Sequence, residues 1–111
     1  MGNCIFCKII SGEIPSTLLY QDDTIVVFKD IRPKAEVHLL VVPKLHIKSL
    51  VELDDTNSQL ISHIMMSLPE IAKSQGLTHG FRTIINTGAD GGQEVEHLHV
   101  HILGGKNLSG F

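Results

Sequence analysis

The spacing of apolar positions alternates between helical and strand periods along the chain, and the changes mark out its elements. Ile5, Phe6, Ile9 and Ile10 recur at helical spacing before Gly12 and Pro15, which predicts one short N-terminal helix. Ser16 to Tyr20 reads as a short strand, Asp22-Asp23 as a turn, and the β-branched run Thr24 to Phe28 as a second strand. Pro33 keeps its predecessor out of the helical region, so Asp30 to Lys34 is expected to be a loop. Val37 to Val42, closed by Pro43, has strong strand character. Asp54 and Asp55 are candidate N-caps for a long helix on which Leu60, Ile61, Ile64, Met65, Leu68, Ile71 and Ala72 share a face. Gly76 is placed to stop that helix, and Pro69 should kink it. Phe81 to Thr87 and Glu96 to Leu103 read as the last strands, separated by the glycine-rich segment Gly88 to Gly92. The pattern predicts a single α+β domain over residues 1–111, with helices packed on one side of a mostly antiparallel sheet.

Composition narrows the function classes. With 42% hydrophobic and 19% charged residues, the chain can bury a core. Nine basic against twelve acidic residues leave a net charge of −3 and no basic block, which argues against nucleic-acid binding through phosphate neutralisation. No apolar run approaches the ~20 residues of a membrane helix, and the first residues lack the features of a signal peptide. A cytoplasmic setting is expected, where Cys4 and Cys7 serve as thiols or metal ligands rather than as a disulfide.

Histidine is the anomaly: seven occur in 111 residues, three of them in His97-Leu98-His99-Val100-His101. Alternation along a strand puts the three imidazoles on one face, roughly 6.5–7 Å apart, and Leu98, Val100 and Ile102 on the other. Apolar burial accounts for the second face and leaves the first unexplained. Such a row suits two chemistries: neutral imidazoles can hold a catalytic metal, or one imidazole can attack phosphorus while its neighbours stabilise charge. The preceding segment, Asn86 to Gln93, favours phosphate, because glycine lets main-chain N–H groups approach an anion.

Taken together, these residues resemble the histidine triad (HIT) family, and within it the Hint branch. Its signature alternates three histidines with apolar residues and ends on two more, as His97-Leu98-His99-Val100-His101-Ile102-Leu103 does. The likeness extends to the short first helix, Asp30-Ile31, His38, Val42 to Ile47, and Asn86 to Gln93. It implies a purine nucleoside phosphoramidase in which His99 attacks the α-phosphorus and a nucleotidyl-histidine is then hydrolysed. His101 would contact phosphate oxygens, His38 would support the triad, and the main-chain carbonyl of His97 would orient His99. Asn86, Gly92, Gln93 and Glu94 would line the phosphate and leaving-group side. Ile5, Phe6, Ile9, Phe28 and Ile31 would wall the purine pocket, with Asp30 on the ribose hydroxyls. The resemblance further implies a five-stranded sheet continuing into a second copy, hence a homodimer.

Cys4-Ile5-Phe6-Cys7 has a spacing that suits two thiolates on one zinc ion. Bacterial relatives that complete such a site do so at positions corresponding to His46 and His97, which implies a structural Cys4, Cys7, His46, His97 set. His63 and His79 match nothing in the family and are expected to face solvent.

Overall fold

The computed structural model describes residues 2–110. The element order is α1 (Ile5–Ile10), β1 (Leu18–Gln21), β2 (Ile25–Lys29), β3 (Val37–Pro43), α2 (Ser58–Ser74), β4 (Arg82–Ile84) and β5 (Val100–Gly104). The strands form one antiparallel sheet in the order β1-β2-β3-β5-β4, the α+β architecture expected from the sequence.

Alternation along β2, β3 and β5 sends two sets of side chains to opposite faces. Ile25, Val27, Leu39, Val41, Val100 and Ile102 pack against Ile64, Leu68, Ile71 and Ala72 of α2. Val26, Phe28, Leu40 and Val42 meet Phe6 of α1 on the other face. The two helices therefore lie on opposite faces of the sheet, not on one side. The short helix is the one that shares its face with the histidines, because Phe6 is the single buried side chain it offers.

The caps explain where the long helix begins and ends. Asp54 and Asn57 form a capping box around a 3₁₀ turn, Asp55–Asn57, that runs directly into α2, so the helix itself starts at Ser58. Gly76, at φ +87°, closes it: its N–H bonds to Lys73 O, and that of Leu77 to Ala72 O. Pro69 lies within α2, and the helix continues through it to Ser74. The carbonyl it leaves unpaired belongs to Met65, on the exposed side. Among the described residues, no helix is long and apolar enough to cross a membrane.

Both late strands are shorter than the sequence suggests. The N–H of Leu98 bonds to Ile47 O at 2.7 Å, so residues 97–99 turn away from the β4 side and the ladder begins only at Val100. For the same reason β4 ends at Ile84, opposite His101.

Candidate functional site

Sheet register assembles one end of the site. Phe28, Leu40, His101 and Ile84 stand side by side across β2, β3, β5 and β4, and His38 lies two residues from Leu40 on the same face. His99 and His97 precede the strand. They remain on the α1 side, where the Phe6 ring stands edge-on to His99 at 5.1 Å and to His97 at 5.9 Å. Only His101 is a strand residue; His97 and His99 lie before β5 begins at Val100, although the sequence suggests a strand through all three.

The hydrogen bonds give each ring a defined state. Nδ1 of His99 lies 2.7 Å from the main-chain oxygen of His97, so it must carry the proton and donate. In the neutral ring this leaves Nε2 as a lone pair. It has no partner among the described residues, and since no buried side-chain nitrogen there lacks one, it opens to solvent although the residue is only 7% exposed. A nucleophile needs such a nitrogen.

His97 is fully buried, and its Nε2 donates to Pro43 O at 2.7 Å. Its Nδ1 therefore faces Cys4 Sγ at 3.3 Å, Cys7 Sγ at 3.6 Å and His46 Nδ1 at 3.1 Å. Cys7 Sγ is also 3.3 Å from His46 Nδ1, and the four donor atoms lie within 4.8 Å of one another. Separations of this size match the edges of a tetrahedron with bonds of about 2.0–2.3 Å. A histidine that donates its other N–H to a carbonyl has the outer-shell contact typical of a ligand. The set fits a metal ion. Burial pushes the Cys7 thiol up and lowers the basicity of His97.

At the other end His38 Nε2 is 2.9 Å from His101 Nδ1 and 3.5 Å from an oxygen of Asp30. Burial holds both imidazoles below the usual histidine range, His101 at about 4, helped by its histidine neighbours. Both rings are neutral near pH 7.

The remaining expected residues divide into several groups. Phe6 and Phe28 pack edge to face at 5.5 Å, with Ile9 against them, so this wall is built. Ile5 is exposed and Ile31 is 88% exposed, both free to meet a ligand. One oxygen of Asp30 accepts the Arg32 N–H at 2.8 Å, the other facing His38. Asn86 and Gln93 are engaged in shaping their own loop: Asn86 Nδ2 donates to Gly91 O, Gln93 Oε1 accepts from Gly88 N–H, and Gln93 Nε2 donates to Lys48 O and Val95 O. Gly92 sits at φ +79°, a conformation that favours glycine, and Glu94 is exposed.

His79 is exposed as expected. His63, also exposed, holds a partner: its Nε2 is 2.7 Å from Asp22 Oδ2, which ties α2 to the β1–β2 turn. A shallow recess of about 540 Å³ beside this pair contains no residue of the triad. No periodicity in the sequence announces the Asp22–His63 contact, because its partners are 41 residues apart.

The chain is similar to known proteins over nearly its whole length. A family profile described as "Scavenger mRNA decapping enzyme C-term binding" matches residues 3–111. Protein HitA of Neisseria gonorrhoeae is 54% identical over 104 residues, covering 94% of this chain and 97% of that protein. Two solved structures superpose closely. A HIT family hydrolase from Legionella pneumophila has a TM-score of 0.92 at 44% identity over 96% of each chain. A histidine triad protein from Clostridium difficile has a TM-score of 0.93 at 51% identity, over 100% of this chain and 97% of that one. With His97 and His99 set beside Phe6 of α1, His101 next to them on β5, and relatives of this identity along nearly its whole length, the chain belongs to the histidine triad family.

Proposed function

We propose that the chain is a cytoplasmic hydrolase of purine nucleoside phosphoramidates and related nucleotide conjugates, working through a nucleotidyl-histidine at residue 99. The observation that carries the reading is the 2.7 Å bond from His99 Nδ1 to the His97 carbonyl, which leaves Nε2 aimed outward as a lone pair. His99 Nε2 forms a bond to the α-phosphorus, the P–N bond breaks, and the amine departs with a proton drawn from solvent, which the attacking water of the second step gives back. Water then cleaves the nucleotidyl-histidine, releasing nucleoside monophosphate and restoring the ring. His101 stabilises charge on the phosphoryl oxygens. Phe6, Phe28 and Ile9, with the exposed Ile5 and Ile31, hold the purine, and Asp30 meets the ribose. The loop from Asn86 to Glu94 borders the phosphate and leaving group.

Two further features belong to this reading. Cys4, Cys7, His46 and His97 would hold a structural zinc ion, whose contribution is to fix α1 against the His97 ring. The short edge strand β4 is where a second copy would extend the sheet into a homodimer. Neither membrane nor nucleic acid enters this reading.

The test is to quench the enzyme during turnover of adenosine phosphoramidate and weigh the intact protein. An added AMP mapped to His99 is expected; full turnover by a His99→Gly variant overturns the reading. A second reading, cleavage of dinucleoside polyphosphates, draws support from the decapping-enzyme description of the family profile, since mRNA caps are 5′–5′ linked dinucleotides. Faster cleavage of diadenosine tetraphosphate than of adenosine phosphoramidate would favour it.

A further inference from the structure

The proton arrangement at His101 is set by a main-chain group that lies outside the triad. Nδ1 of His38 is 3.1 Å from the amide nitrogen of Lys34. An amide N–H can only donate, so Nδ1 of His38 is the acceptor, and the neutral ring must carry its proton on Nε2. That nitrogen faces His101 Nδ1 at 2.9 Å. Two nitrogens at this distance share one proton, and it comes from His38. His101 Nδ1 is therefore the acceptor, and the neutral His101 ring carries its own proton on Nε2. This last nitrogen has no partner among the described residues and is not buried, so its N–H is open to a ligand.

We propose that Lys34 is a positioning residue: its main-chain N–H, acting through His38, fixes His101 as an Nε2–H donor toward the phosphoryl group. Without that amide, His38 can place its proton on Nδ1 and turn a lone pair toward His101. His101 must then donate to His38 and present a lone pair, which repels a phosphoryl oxygen. The loop Asp30 to Lys34 delivers the amide. Asp30 N–H bonds to His38 O at 3.0 Å, and Arg32 N–H to the Asp30 carboxylate, so the loop is pinned to β3 at the residue it controls. The role of the donor rests on the function proposed above; the proton arrangement does not.

The two can be tested apart. Two-bond ¹H–¹⁵N correlation spectra of the ligand-free wild type, labelled at histidine, report which ring nitrogen is protonated. The expected pattern is Nε2–H for His38 and His101 and Nδ1–H for His99. A protonated Nδ1 on neutral His38 overturns the inference even if an adduct on His99 is found; the expected pattern without any adduct leaves it standing and overturns the proposed function instead. Lys34→Pro removes the N–H, whereas Lys34→Ala keeps it. The proline variant is expected to lose the His101 Nε2–H pattern and to lower kcat about 100-fold with KM within about threefold, the low end of the loss of one charge-stabilising hydrogen-bond donor. The alanine variant is expected to retain the wild-type proton pattern. Loss of the pattern in the alanine variant, or its survival in a folded proline variant, overturns the role of the amide. Should the proline variant not fold, the wild-type spectrum decides.

Discussion

At one end of the triad His97 meets two sulfurs and a second imidazole; at the other His101 meets a second imidazole and a carboxylate. Both sets hold enough donors for a metal ion, and both are crowded within hydrogen-bonding distance. They differ in what stands behind one ring. Behind His97 is a carbonyl, Pro43 O, which takes the proton and leaves a lone pair facing the cluster. Behind His38 is an amide, Lys34 N–H, which takes the lone pair and sends the proton into the cluster. The first arrangement turns a lone pair toward donors that could hold a metal ion, and the second sets the direction of a hydrogen-bonded pair. Residue types alone do not separate them; the neighbouring main chain does.

The most severe way to probe this contrast is to remove the residue between the two ends. His99→Gly is expected to lower kcat by at least about a thousandfold, measured with a fluorogenic AMP conjugate, while circular dichroism stays unchanged. His101→Gln should cost about 10²–10³ in kcat, since one charge-stabilising donor is lost, with little effect on Tm. The thiol end should behave oppositely. Purified protein is expected to contain close to one zinc by elemental analysis, and Cys4→Ser to lose it, with Tm falling by roughly 5–10 °C, equivalent to about 1–2 kcal/mol in a chain of this size. Chelation should do the same, and His99 should still be nucleotidylated in whatever fraction remains folded. A chelated, folded protein that no longer forms the adduct would mean the two ends are not separable.

Acid gives a smaller effect with a defined sign. The unfolded chain binds a proton at His101 near the ordinary value of 6.5, whereas the folded one does so only at about 4. The unfolded state thus holds more protons between those values, and stability falls as pH drops from 6.5 toward 4. Thermal melts at steps across that window should show a decline that is shallower in His101→Gln; equal slopes would refute the assignment. Smallest of all is His63→Ala, the histidine control outside the site. Asp22 would be raised by burial, but the N–H groups of Thr24 and Ile25, with His63 and Tyr20, hold it well below the carboxylate range. His63 supplies only one of these bonds and is exposed, so its loss should cost under about 1 kcal/mol in urea melts and leave kcat unchanged.

Sequence patterning carried far for the elements and less far for the site. Periodicity located α2, β2 and β3 because each buries an apolar face, and the Gly76 cap was visible because one residue type suits that turn. It overextended the last two strands, since the bond from Leu98 to Ile47 has no local signature. It also put both helices on one side, because spacing within a helix does not say which face of a sheet it covers. The Cys4, Cys7, His46 and His97 set came from family likeness, and the fold brings the four together. The Lys34 amide was invisible: every residue but proline has one, so no residue type marks it. Gln93 shows the reverse. The sequence places its side chain on the phosphate side but does not show its hydrogen bonds, which join Gly88 N–H, Val95 O and, from another segment, Lys48 O.

His97 contributes through two separable parts. Its ring faces the sulfur cluster, while its peptide oxygen orients the ring of His99. A codon change can erase the ring but never the carbonyl. Over generations a lineage could therefore shed both cysteines and the imidazole at 97, refill the space with apolar groups, and still inherit a correctly set residue 99. The chemistry is anchored in what translation cannot alter, which leaves the scaffold beside it free to drift.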